Sequence, residues 1–156
     1  MLDEIDVKIL NILQESGRVQ RNRIAEKVEL TIPAVSERIK KLEQNGIIKG
    51  YYTEVDHQKL GKDITAFVHI FYSHSNDYKY RHFLDKINDE DDITECYSIT
   101  GDSSHIVKIY TESTESLEHL LNRIQSWQGV EGTKTYVALS NFKYSHLIHP
   151  SEDKMK

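Results

Sequence analysis

The sequence predicts an α+β chain: a winged helix-turn-helix followed by a ferredoxin-like βαββαβ domain. Three observations lead there. Apolar residues recur at helical spacing in three short runs within residues 3–45. Over residues 64–142, runs rich in β-branched and aromatic residues alternate with two further helical runs. Between them, Asp56 to Lys62 is polar and contains a glycine, as a domain boundary does.

Ile5, Ile9, Ile12 and Leu13 place a helix over Asp3–Ser16, and Gly17 is expected to end it in the left-handed position that glycine adopts cheaply. A second helix covers Arg21–Val28 with Ile24, Ala25 and Val28 inward. After a four-residue turn, Thr31 caps a third helix from Ile32 to Asn45, where Asn45-Gly46 stops it. Val35, Ile39 and Leu42 form its buried stripe. Ile47 to Val55 reads as extended, either a wing strand or a linker strand. The order then runs strand (Ile64–Tyr72), helix (Tyr78–Asn88), strand (Ile93–Ile99), strand (His105–Tyr110), helix (Ser113 or Thr114 to Trp127) and a strand within Val130–Phe142. That order is the split-βαβ pattern. The expected boundaries are 1–50 for the helix-turn-helix, 51–62 for the linker, 63–145 for the second domain and 146–156 for a polar tail.

The first strand of the second domain carries Ala66, Val68 and Ile70 on one face and Phe67 and Phe71 on the other. Helices cover only one face in this topology, so a second subunit is the expected cover of the other.

The formal net charge of the 156 residues is −5. It is uneven: residues 18–50 hold eight Lys/Arg against four Asp/Glu, whereas residues 51–156 hold eleven against seventeen. Affinity for nucleic acid follows the charges that face phosphate, not the chain total. Cys96 is the only cysteine, so neither an internal disulfide nor a thiolate metal site is available. No 18-residue apolar run and no basic-then-apolar leader is present, and a cytoplasmic protein away from membranes is expected.

Helix-turn-helix spacing sends the N-terminal half of the second helix of the pair into the major groove of double-stranded DNA. Opposite the buried stripe, the third helix presents Pro33, Glu37, Lys40 and Gln44, flanked by Ser36 and Lys41. Thr31 and Ser36 offer hydroxyls, and Glu37 can accept from cytosine N4. Arg38, Lys40 and Lys41 suit phosphates or guanine, and Arg21 and Arg23 suit the DNA backbone. The solvent face of a winged-helix protein–protein module has the same spacing, so both readings stand on the motif alone.

Leu2-Asp3-Glu4-Ile5-Asp6-Val7-Lys8-Ile9-Leu10, Ile24-Ala25-Glu26-Lys27-Val28, Ala34 through Glu43, and Asn45 through Tyr51 resemble the Lrp/AsnC (feast/famine) family of transcription regulators. Lys59-Leu60-Gly61 resembles the end of that family's linker, and the likeness spans about residues 2–142. The resemblance implies DNA binding, homodimers that often associate into octamers, and control of transcription. Many members respond to an amino acid bound between subunits near the hairpin of the second and third strands. Here that hairpin is Gly101-Asp102-Ser103-Ser104-His105, which makes these five residues the expected effector site. Two departures stand out: Glu29 occupies the turn position that is usually glycine, and Ser103 and Ser104 replace an apolar residue and a second Asp. The resemblance thus points to a regulator of amino-acid or related metabolism, not an enzyme, with no cofactor. Two other roles fit the same pattern: an enzyme like the sirohaem decarboxylases, which share the architecture, and an assembly module without DNA binding.

Other signals point to ordinary structure. His69 with His105, and His146 with His149, lack the third and fourth ligands a metal site needs. Asp89-Glu90-Asp91-Asp92 lacks the spaced ligands and glycine of a calcium loop. Trp127 is expected as a core or interface anchor, and Cys96 as a buried thiol.

Overall fold

The computed structural model describes residues 2–73 and 77–150. The chain forms two compact units: Met1–Glu54 together with Lys143–Lys156, and Val55–Phe142.

In the first unit, α1 (Glu4–Glu15), α2 (Arg21–Val28) and α3 (Ile32–Gln44) enclose a core of Ile9, Leu13, Ile24, Ala25, Val28, Val35, Ile39 and Leu42. Removing each such side chain from water is worth about 1.5–3 kcal/mol for the larger ones. Asp3 and Asp6 start α1 with a reciprocal capping box. The end of α1 differs from the sequence expectation: Ser16 (φ −153°) closes it in extended conformation, its N–H donating to Ile12 O, and Gly17 takes no left-handed conformation. Gly46 does, at φ 68°, and there Ile47 N donates back to Leu42 O at 2.9 Å.

The segment 47–55 forms no strand, against the expectation of a wing or linker strand. A strand exists only by pairing, and among the described residues this segment pairs with no strand. From Lys143 onward the chain is again part of the first unit. There the Gln14 carboxamide grips the Ile148 main chain twice: Nε2 donates to Ile148 O at 3.1 Å, and Ile148 N donates to Oε1 at 2.7 Å. His146 Nε2 stands 3.9 Å from Glu54 Oε2. Of the expected tail, residues 151–156 lie outside the described residues.

The second unit holds β1 (Ile64–Tyr72), α4 (Asp77–Asn88), β2 (Ile93–Ser98), β3 (His105–Thr111), α5 (Thr114–Gln125) and β4 (Val130–Val137). The sheet order is β2-β3-β1-β4 with every neighbouring pair antiparallel, the ferredoxin-like arrangement. Ser113 caps α5 through Ser116 N. One sheet face, with Ala66, Val68, Ile70, Val107 and Ile109, packs against Phe83, Ile87, Leu117, Leu120, Ile124 and Trp127. Among the described residues neither α4 nor α5 packs on the other face, where only the His57 ring, at the start of a short 3-10 turn (Gln58–Leu60), lies against Tyr110 at 4.4 Å. That face carries Phe67 (38% exposed) and Tyr136, which are register partners, together with Phe71, Ile106, Lys108 and Tyr110.

Candidate nucleic-acid interface

Glu29, Leu30 and Thr31 connect α2 to α3, so the turn is three residues long. Glu29 sits at φ 55°, ψ 42°, the left-handed conformation implied by the usual glycine at this place. A side chain pays about 1–2 kcal/mol there. Leu30 N donates to Ala25 O at 3.0 Å and closes the turn. Thr31 Oγ1 accepts from Ala34 N at 3.3 Å, as an N-cap does, which leaves its own proton free to donate outward.

With Val35, Ile39 and Leu42 buried, α3 exposes Ile32, Pro33, Ser36, Glu37, Lys40 and Lys41. Ser36 Oγ donates to Ile32 O at 2.9 Å, so only its lone pairs face solvent. Lys41 Nζ lies 3.7 Å from Glu37 Oε1, one turn apart and well exposed, which offsets the carboxylate's repulsion of phosphate. No carboxylate pairs with Lys40 among the described residues. Ile32, 49% exposed, is an apolar member of this face that the expected set lacks. A thymine methyl is the matching partner for such a group.

Arg38 departs from its expected place among the DNA-facing cations. Its Nη1 donates to Asp3 Oδ2 at 2.6 Å and to Asp6 Oδ1 at 2.7 Å, inside the unit. These two carboxylates raise the guanidinium's pKa further above its ordinary value. Burial alone would push the Asp3 carboxyl up, but the Asp6 amide and the Arg38 guanidinium outweigh it, and the net shift is downward.

At the start of α2, Gly17, Arg18, Val19, Gln20, Arg21 and Tyr51 line a shallow open hollow. Tyr51 Oη donates to Glu43 Oε1 at 2.8 Å. Burial and Glu43 raise the Tyr51 hydroxyl's pKa, and Arg21 opposes them. Arg23 Nη1 is 3.4 Å from Glu26 Oε2 on the exposed side of α2. Arg18 and Tyr51 are additions to the expected set. The close spacing of Arg18, Arg21 and Arg23 signals the first, whereas nothing in the sequence places Tyr51 there.

The hairpin between β2 and β3 divides the five expected effector residues. Gly101 (φ 118°) and Asp102 are exposed at its tip. Ser103, Ser104 and His105 are turned inward. Ser103 Oγ is 2.8 Å from His69 Nδ1 and is 5% exposed. Ser104 Oγ donates to Ile70 O and accepts from Tyr72 N, both at 3.0 Å, fastening the hairpin to the end of β1. His105, 2% exposed, meets Ser104 Oγ through Nδ1 at 2.9 Å and Tyr80 Oη through Nε2 at 3.1 Å. Because the single Ser104 proton goes to Ile70 O, His105 donates to Ser104 from Nδ1. His105 pairs with Ile70 on the helix-covered face, whereas His69 pairs with Ile106 and faces the other way. The two histidines therefore share no metal, and no metal-binding group of side chains exists among the described residues. Trp127 lies in the core, edge-on to Phe83 at 6.2 Å, and burial raises the pKa of the half-buried Cys96 thiol. No described helix is long and apolar enough to cross a membrane.

Two family models match the chain: winged helix-turn-helix DNA-binding over residues 2–49, and the Lrp/AsnC ligand binding domain over residues 65–148. The HTH-type transcriptional regulator LrpB of Bacillus subtilis is 41% identical over 121 residues, 78% of this chain and 79% of that protein. The HTH-type transcriptional regulator FL11 of Pyrococcus furiosus is 37% identical over 143 residues, covering 92% of this chain and 93% of that one. The crystal structure of transcriptional regulator NMB0573 from Neisseria meningitidis, in complex with L-Met, superposes with a TM-score of 0.92 at 22% identity, covering 99% of this chain and 100% of that one; this is a likeness of fold. The chain belongs to the Lrp/AsnC family of transcription regulators.

Proposed function

We propose that this protein is a sequence-specific DNA-binding regulator of amino-acid or related metabolic genes that reads the major groove with α3. The observation that carries the reading is the composition of the exposed side of α3. Hydroxyls, a carboxylate, two lysines and an apolar Ile32 stand opposite a fully buried stripe. Such a mixture matches the donor, acceptor and methyl pattern of base edges, whereas a bare phosphate binder needs only cations. Arg18, Arg21 and Arg23 meet the DNA backbone.

The protein acts as a homodimer through the open face of the sheet, where Phe67, Phe71 and Tyr136 stay uncovered by helices. Two-fold symmetry then requires a roughly palindromic site with half-sites about 10 bp, or a multiple, apart. An amino acid is the effector, and it approaches the tip of the hairpin at Gly101 and Asp102, where the Asp102 carboxylate pairs with an α-ammonium group. Catalysis has no part in this role, and the protein works in the cytoplasm.

The test is to incubate the purified protein with fragments of its genome, recover the bound ones and sequence them. Enrichment of a palindromic motif supports the reading. Recovery of fragments in proportion to their input, at low salt as well as high, rejects it.

A further inference from the structure

Arg38 sits on α3 but is tied into α1. Asp3 and Asp6 each use one oxygen for their capping box: Asp3 Oδ1 accepts from Asp6 N at 2.8 Å, and Asp6 Oδ2 accepts from Asp3 N at 3.2 Å. Each gives its remaining oxygen to Arg38 Nη1, at 2.6 and 2.7 Å. The result is one closed set of four hydrogen bonds between the N-terminus of α1 and the middle of α3. Two carboxylates against one guanidinium leave the group with a net charge of about −1, so it supplies no attraction for phosphate. Along α3, Arg38 lies three residues after Val35 and four before Leu42, at the edge of the buried stripe. The apolar contacts of that stripe are non-directional and tolerate a rotation of α3 about its own axis. Charge-assisted hydrogen bonds are directional and do not.

We propose that Arg38 is a positioning residue: by holding α3 against the capping box of α1, it fixes the rotation at which Ile32, Ser36, Glu37 and Lys40 meet base edges, and it does not touch DNA. The inference rests on α3 being the DNA-reading helix. Recognition needs its side chains within roughly 0.5 Å and 10–20° of the productive geometry. Losing that precision damages base reading and spares the phosphate term.

The experiment measures the affinity of the full-length protein for a recovered genomic fragment and for a random duplex, each across a salt series. The parent is compared with Lys40→Ala, Arg38→Gln, Arg38→Lys and Asp6→Asn. Lys40→Ala is expected to flatten the slope of log affinity against log salt by about 0.9 on both duplexes. Arg38→Gln is expected to keep the parent's slopes, lose roughly tenfold or more on the genomic fragment, and change little on random DNA. Asp6→Asn should fall in the same direction, although it removes a negative charge. Arg38→Lys, which keeps the cation, should lie between. Should Arg38→Gln fail to fold, Asp6→Asn and Arg38→Lys carry the same comparison. A slope flattened by about 0.9 in Arg38→Gln, or tighter binding of both duplexes by Asp6→Asn, overturns the proposal while the DNA reading stands. Equal affinity of the parent for both duplexes removes the DNA reading and the proposal with it.

Discussion

Two regions carry the same kinds of residue and put them to opposite uses. On α3, Ser36, Glu37, Lys40 and Lys41 stand in solvent with only local partners one helical turn away. At the hairpin, Ser103, Ser104 and His105 are turned inward and bonded to β1 and α4 across more than twenty residues of sequence. The first region keeps its remaining hydrogen-bonding capacity open to solvent. The second spends most of it on the fold, and only Gly101 and Asp102 remain available. Polar residues in a regulator's sequence are therefore not equivalent: availability is decided by which face of which element they occupy.

The contrast can be broken first at His105. His105→Ala removes the hydrogen bonds that Ser104 and Tyr80 make to the imidazole and opens a cavity at a buried site, and urea unfolding should show a loss of about 2–4 kcal/mol. A loss under about 0.5 kcal/mol, the range of ordinary surface changes, would mean that the network does not hold the hairpin.

The exposed half of the hairpin is sharpened by a thermal-shift panel of amino acids. A true effector at 100 times its Kd should stabilise the protein by about 2.7 kcal/mol, and Asp102→Ala should abolish the shift. A shift that survives this change places the effector elsewhere.

Lys40→Ala is the counterpart on α3. Its stability should stay within about 0.5 kcal/mol of the parent while DNA binding weakens. Unfolding of this variant would erase the distinction between the two regions.

Glu29→Gly relieves the left-handed turn at the foot of α3. Balanced against the extra chain entropy of glycine, the gain should be about 0.5–1 kcal/mol in urea. A loss of stability would show that the Glu29 side chain holds the turn in a way its dihedral angles do not reveal.

The smallest effect concerns pH. The Asp3 carboxyl titrates below its ordinary value, so its contribution is complete above about pH 4 and disappears as pH falls through the depressed pKa. Arg38 stays charged throughout. The stability difference between the parent and Arg38→Gln should therefore hold from neutral pH down to about pH 4 and narrow below it. A difference that widens on acidification contradicts the pairing.

Much of this was legible in the sequence because it is periodic or local. The Val35, Ile39 and Leu42 stripe, the Thr31 cap and the alternating faces of β1 all follow from rules that operate within a few residues, whereas the left-handed Glu29 was implied only by the family resemblance. The sequence was silent where the deciding partner is remote. Arg38 looks like its neighbouring lysines until Asp3, 35 residues earlier, is placed beside it. His105 reads as a hairpin residue until its pairing with Ile70 assigns it to the covered face. Gly17 failed for a local reason: Ser16 had already ended the helix in extended form, so the glycine had nothing left to close.

The grip of Gln14 on Ile148 joins residues 134 positions apart, with the whole second unit between them in sequence. During synthesis, α1, α2 and α3 emerge and can pack early, because their core contacts are short-range. Ile148 follows on the order of ten seconds later at usual elongation rates. Throughout that interval Gln14 is unclaimed and the first unit exists in a shorter form. Completion of the first unit is thus an event in time that waits until residues 55–142 have been synthesised, and a nascent chain has all three helices of that unit before the segment that Gln14 holds exists.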